Sequence, residues 1–153
     1  MKGAFQPMNE YKQTWLFQAN PKVWIGFSEQ FKQQTVGAIG DWTVSRYWKK
    51  IDPGDRVLLW EVGSNARLLA IGEIAGEPFE LDPSIRRSGE QVKPVWKVRF
   101  QYTHILKEPI QRSTFLKDPV LRKMHHIRAP QGSNFKVTEE EWKVLQKLIN
   151  QQP

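Results

Sequence analysis

No cysteine occurs among the 153 residues, and that absence removes disulfides, thiolate nucleophiles, Cys-ligated zinc and iron–sulfur clusters together. Histidine is scarce as well. His104, His125 and His126 are too few and wrongly spaced for a familiar metal constellation, and neither HExxH nor a dense Asp cluster accompanies them. There is no GxxxxGK-S/T phosphate loop, no GxGxxG following a strand and no GxSxG elbow, so nucleotide hydrolysis, Rossmann-type redox chemistry and serine-hydrolase chemistry lack their usual parts. The expectation is a chain with no cofactor, no metal and no catalytic residue. Long apolar runs are missing too: the opening residues 1–13 are polar and hold no secretory core, and no later run reaches the length of a bilayer span. They read as a loose tail ahead of one domain over 14–150, with 151–153 trailing, and the expected setting is the cytoplasm without a membrane.

What is present is positive charge and indole. The formal net charge is +7, and it is unevenly placed: residues 1–80 carry nine Lys or Arg against nine Asp or Glu, and residues 81–153 carry fourteen against seven. Between Arg86 and Lys136 twelve cations face only Glu90, Glu108 and Asp118, a one-sided field that attracts polyanions. Seven Trp, eight Phe and three Tyr form a heavy aromatic load for this length. Most must be core, but flat side chains beside cations are also what unpaired bases stack upon.

Period-two patterns place strands at Thr14–Gln18, Asp41–Tyr47, Arg56–Val62, Arg67–Ala75 and Val95–His104. The pair Arg56–Val62 and Arg67–Ala75, joined over Gly63, Ser64 and Asn65, reads as a hairpin. Its first arm is apolar on both faces, Val57 and Leu59 on one, Leu58, Trp60 and Val62 on the other, which requires a central strand or a closed barrel. Asn20 and Pro21 read as the cap and first residue of a helix carrying Phe27 and Phe31. Ile51–Asp55 is a tight Pro-Gly turn, Gly76–Pro94 a long loop, Gln111–Met124 a set of short helical pieces broken at Asp118 and Pro119, and Ile127–Lys136 another loop. The last element is a helix with a capping box, Thr138 with Glu141, and an apolar stripe of Trp142, Leu145, Leu148 and Ile149. Strands with short helices between them argue for a strongly curved mixed sheet or partly closed barrel flanked by short helices, an α+β fold.

The runs WLFQANP at Trp15–Pro21, DWTVSR at Asp41–Arg46, IDPGDRVLLWEV at Ile51–Val62 and LLAIGEIAGEP at Leu68–Pro78 resemble the EVE domain of the PUA-like superfamily. The likeness runs from about Thr14 to Ile149. It implies a curved five- or six-stranded sheet, nearly a barrel, with a pocket between sheet and loops. EVE domains are similar in fold to YTH domains, readers of methylated adenine in RNA, and the resemblance implies a partner in DNA or RNA carrying a modified base. Members occur alone and as specificity modules of restriction enzymes, and this chain resembles the free-standing type.

By the same resemblance Trp42 matches an aromatic wall of the base pocket, Thr43 offers hydrogen bonds beside it, and Asn20 matches an amide that reads a base edge. Where a YTH reader has a lysine, two residues before that amide, this chain has Gln18, a departure that sets methyladenine RNA apart from what it is expected to take. Trp60, Phe79 or another loop aromatic would supply a second wall, Trp60 reading more readily as plain core and Trp42 itself as either wall or core. Arg86, Arg87, Lys97, Arg99 and Arg128 are the candidate phosphate contacts. Three other readings stay open: a PUA-like RNA module blind to modification, a repair or RNA-modifying enzyme built on a lone carboxylate such as Asp41 or Glu61, and a protein-interaction domain whose charge is incidental.

Overall fold

The computed structural model describes residues 13–81 and 95–152. Among these, seven strands form one mixed sheet: β1 Thr14–Ala19, β2 Ile39–Val44, β3 Arg56–Glu61, β4 Arg67–Ile74, β5 Phe79–Glu80, β6 Trp96–Gln111 and β7 Asn134–Val137. Four α-helices, α1 Phe27–Lys32, α2 Arg112–Lys117, α3 His125–Arg128 and α4 Glu139–Asn150, and a 3-10 turn over Leu121–Lys123 complete the described elements. The strand order is β2-β6-β4-β3-β1-β7, with β5 beside β6. Among the described strands the pairing of β1 with β3 is parallel and every other ladder is antiparallel.

β3 lies between β1 and β4, which explains why both its faces are apolar. Leu58 and Trp60 belong to one core with Leu16, Phe115 and Trp142, while Val57 and Leu59 belong to a second with Trp15, Phe17, Trp42 and Phe100. The second core is the concave side. Phe17 of β1 stacks on Trp42 of β2 with ring centroids 5.7 Å apart although three strands separate them in the sheet, so the sheet curls into a half-barrel. Bulges sharpen the curl: the β3–β4 register shifts between Leu59 and Trp60, and the β4–β6 register shifts on either side of Ala70 and Ile71. At the second shift Gly72 passes so close to β6 that a Cβ would stand 2.7 Å from the Gln101 carbonyl oxygen, which no side chain tolerates.

On the convex side α2, the 3-10 turn, α3 and α4 cover the first core. The capping box of α4 is formed as expected, Thr138 Oγ1 accepting from the Glu141 backbone N–H and Glu141 Oε1 accepting from that of Thr138. Trp142, Leu145 and Ile149 face inward, and the guanidinium of buried Arg56 lies 3.8 Å from the Trp142 ring centroid. His126 is also buried here, edge-on to Trp60 and Phe115.

Several expectations need correction. The helix does not begin at Pro21: residues 21–26 are turns, and Gly26 at φ 83° sits in a conformation that a right-handed helix excludes, so α1 starts at Phe27. β2 ends at Val44 rather than Tyr47, whose φ of 65° is also left-handed. β6 continues past His104 to Gln111, because Leu106 and Ile110 turn into the convex core despite Pro109. The expected loop over Ile127–Lys136 contains the end of α3 and most of β7, and with β5 that raises the strand number above five or six.

β7 matters most, because it carries the closure of the half-barrel. Asn134 is fully buried, and its Oδ1 accepts from the backbone N–H of Ser45 at 3.0 Å and of Arg46 at 3.4 Å, while its Nδ2 donates to the Arg46 carbonyl at 2.6 Å. Those partners directly follow β2, the opposite edge of the sheet. Among the described residues no ladder joins the two edges; the Asn134 amide does, beside a 3.2 Å contact between the Ser45 and Ser133 hydroxyls.

Asn134→Ala should cost about 1–3 kcal/mol in urea unfolding, since it takes the partner from the part-buried Ser45 amide and Arg46 carbonyl; a loss below about 0.5 kcal/mol would mean that the edges are held elsewhere. A second expectation concerns acid. Burial first, then the neighbouring charges of Arg112 and His125, holds His126 down to about 3 from an ordinary 6.5. Between those values the unfolded chain binds a proton that the folded chain does not, so His126 makes stability fall as pH drops from 6.5 toward 3. The stability difference between wild type and His126→Phe should change by about 1.4 kcal/mol per pH unit between pH 6 and 4; a difference that stays level with pH would contradict the assignment.

Candidate functional site

A cleft of about 740 Å³ opens on the concave side, between the end of β1, the turn that follows it, α1, β2 and the loop before β7. Its size suits a ring-sized ligand. The floor is Trp42, only 5% exposed, which lies flat on Phe17 and meets Phe100 edge-on. Trp42 is thus core and cleft at once, and the choice between the two does not arise. Phe27, Phe31 and Tyr102 continue the apolar wall, and burial pushes the Tyr102 phenol up to about 12, so it stays a neutral hydroxyl.

Trp24 forms the side of the cleft. It is 37% exposed, its ring tilts 52° against Trp42 with centroids 5.3 Å apart, and its Nε1–H donates to Gln30 Oε1 at 3.0 Å. The two indoles make a tilted corner. They leave no space for a third ring between them, so a flat ligand would lie against the corner rather than inside a sandwich. Reading the sequence missed Trp24, because it sits in a turn where no periodicity marks its direction; the signal available was a tryptophan standing just after Asn20 and Pro21, outside any strand pattern.

Asn20 lies at the cleft rim. Its Oδ1 accepts from the Lys22 N–H at 3.0 Å and its carbonyl accepts from Val23 and Trp24, so it builds the turn that carries Trp24. Its Nδ2 remains as a donor. Thr43 and Lys97 face each other across the β2–β6 ladder and border the cleft at its edge, on the strand face opposite that of Trp42 and Val98. Gly132 and Ser133 close the far side, positioned by the Asn134 clasp and by a 3.2 Å contact between the Ser133 and Ser45 hydroxyls.

The structure thus brings Trp42, Thr43, Asn20 and Lys97 together, and it separates others. Gln18 borders the cleft, but strand parity turns its side chain to the convex side, where Nε2 donates to the carbonyls of Pro130 at 2.6 Å and Gly132 at 3.1 Å. Trp60, paired with Gln18 on β3, shares that parity and is core against Phe115 and His126, with the sheet between it and the cleft. Phe79 lies outside the cleft under the Arg99 guanidinium, 5.0 Å from its ring centroid. Arg99 also pairs with Asp41 at 3.4 Å. Arg128 is exposed at the end of α3, and Arg86 and Arg87 lie outside the described residues.

Charge is distributed in the same divided way. Among the described residues Lys97 is the one Lys or Arg lining the cleft, while Arg112, Lys117, Arg122, Lys123 and Arg128 ride on the convex-side helices. Asp41 and Glu61, the carboxylates offered as examples of a lone catalytic group, are both engaged. Asp41 pairs with Arg99, and Glu61 pairs with Arg67 at 3.2 Å while accepting from the Ser28 hydroxyl at 2.9 Å.

Comparison with known proteins adds the following. The family model of the EVE domain matches residues 13–148. No curated protein matches the chain. Among solved structures, Rpa0253 from Rhodopseudomonas palustris is 26% identical, with a TM-score of 0.66 over 90% of this chain and 93% of that one. Human THYN1 in complex with DNA containing 5-methylcytosine is 16% identical, with a TM-score of 0.68 over 93% of this chain and 100% of that one. The YTH domain of Zygosaccharomyces rouxii MRB1, in complex with N6-methyladenosine RNA, is 11% identical, with a TM-score of 0.55 over 100% of this chain and 92% of that one.

Proposed function

From the premise that this chain belongs to the EVE domain family, we propose that it is a nucleic-acid-binding module that takes one flipped base, a modified one, into the cleft over Trp42 and does not alter it chemically. The observation that carries this reading is the cleft itself: an indole corner of Trp24 and Trp42 with a cation, a hydroxyl and an amide donor at its rim, built into the concave core. Unstacking a base costs a few kcal/mol, and an aromatic face returns about 1–3 kcal/mol. Two indoles with polar groups on the base edge therefore offset the cost, and a methyl group added to the base gains further apolar contact in a cleft floored by Trp42 and Phe100.

The structures of two similar proteins hold methylated nucleic acids, one DNA with 5-methylcytosine and one RNA with N6-methyladenosine, which supports a modified base as the ligand here. In this reading Thr43 and the Nδ2 of Asn20 hydrogen-bond the base edge, and Lys97 meets the adjoining phosphate. Arg99, tied to Asp41, contributes less than a free cation would. Binding without catalysis is favoured by the engagement of Asp41 and Glu61 in ion pairs, because each would have to surrender its partner to act as a base.

Trp24→Ala is the informative variant, since Trp42→Ala also opens a core cavity and costs about 3–5 kcal/mol of stability. Wild type and Trp24→Ala are titrated against oligonucleotides identical except for one base: unmodified, 5-methylcytosine or N6-methyladenine, in DNA and in RNA. The expected result is that one modified base is preferred and that Trp24→Ala weakens that complex about 5- to 100-fold while changing the unmodified controls much less. Equal weakening of every oligonucleotide, or no preference by the wild type, would contradict the reading.

A further inference from the structure

The turn between Asn20 and α1 presents an apolar tip beside the cleft. Val23 is 81% exposed and Ile25 79%, and between them Trp24 turns inward onto Trp42. Of the six large hydrophobics that stand exposed among the described residues, five lie within 23–39, and Val23, Trp24 and Ile39 line the cleft. The patch is therefore a feature of the cleft mouth rather than scattered surface.

The tip is also held in place. The Asn20 side chain and carbonyl take up the Lys22, Val23 and Trp24 amides, the Trp24 indole is hydrogen-bonded to Gln30 and packed on Phe27, and Gly26 at φ 83° turns the chain back into α1. An apolar pair on a rigid turn, flanked by Lys22, is poorly matched to water. It is well matched to the inside of a base stack, whose rim is lined with phosphates.

We infer that Val23 and Ile25 form a wedge that enters the gap left in a double helix when the base in the cleft is flipped out, which makes duplex, rather than single strand, the form of nucleic acid this chain takes. The inference rests on the proposed base-holding role of the cleft. Its physical logic is a balance of surfaces. Flipping leaves an empty position between two neighbouring base pairs, and inserted apolar side chains fill that position and shield the bared faces of those pairs from water. Continuity with the cleft places the wedge beside the base being extracted. Lys22 on the same turn and Lys97 in the cleft wall supply the charge that meets the strand backbone.

The test uses the full chain with Ile25→Ser, the wedge residue that stands 79% exposed and outside the cleft lining, and with Ile25→Val as the conservative control. Probes are one DNA strand carrying 5-methylcytosine and one carrying N6-methyladenine, each presented single-stranded and paired in a duplex. For the base that the wild type prefers, Ile25→Ser should lose about tenfold or more in duplex affinity with single-strand affinity unchanged, and Ile25→Val should bind both as wild type does. If Ile25→Ser binds duplex normally, the wedge is refuted. Equal loss on duplex and single strand also refutes it, since the tip would then be part of the pocket. A wild type that prefers neither base in either form brings down the base-holding reading itself, an outcome visible before any variant is compared.

Discussion

The Asn134 amide is the constraint on which the rest of the structure depends. An open sheet of this order would leave β2 and β7 as unpaired edges, which is both unstable and an invitation to pair with other chains. Here a single buried side chain donates across the gap and accepts back, joining β7 to the residues that leave β2. Closure by side chain instead of ladder has a consequence that a full barrel would not offer: the strands near the seam stay apart, and the space between them is the cleft. The Gln18 amide ties the same segment to the end of β1, through the carbonyls of Pro130 and Gly132. Two amides on neighbouring strands thus hold the far wall of the site without entering it.

Curl and cleft share one residue. Trp42 stacks on Phe17 across the inside of the half-barrel and also floors the site, so the packing that keeps the sheet curved presents a rigid indole to whatever enters. A pocket wall made of core does not rearrange cheaply. Trp24, by contrast, sits on a turn, is partly exposed and closes the corner from the outside. The site therefore combines a buried floor with a partly exposed side.

Much of the frame was legible in the residues, for identifiable reasons. The two-faced apolar pattern of Val57–Trp60 leaves only a central strand or a barrel strand, and Thr138 with Glu141 marks a helix start. What escaped was decided by register and by tertiary contact. Nothing local distinguishes the face of Trp60 from that of Trp42; only the parallel pairing of Gln18 with Trp60, and the curl that brings Phe17 to Trp42, put one outside the sheet and the other inside. Four residues of β7 among Gly, Ser and Pro carry no strand signal strong enough to see, although their Asn closes the fold. The helix expected at Pro21 failed because Gly26 is left-handed, and the turn that replaces it carries the Trp24 indole onto Trp42.

Charge and aromatics also point in different directions, which a one-dimensional reading merges. The basic excess of the second half lies largely on the convex helices, and the cleft holds Lys97 alone among the described residues. The charged surface and the indole corner are therefore physically separate among the described residues, so general attraction to a polyanion would fall to the first and the base selection proposed above to the second. The most direct measurement of that claim is to recover the nucleic acid retained by the protein from a cell extract, digest it to nucleosides and compare its composition with the input by mass spectrometry. A base-selecting cleft predicts enrichment of one modified nucleoside; retained nucleic acid with the nucleoside composition of the input would contradict it and leave only the charged surface.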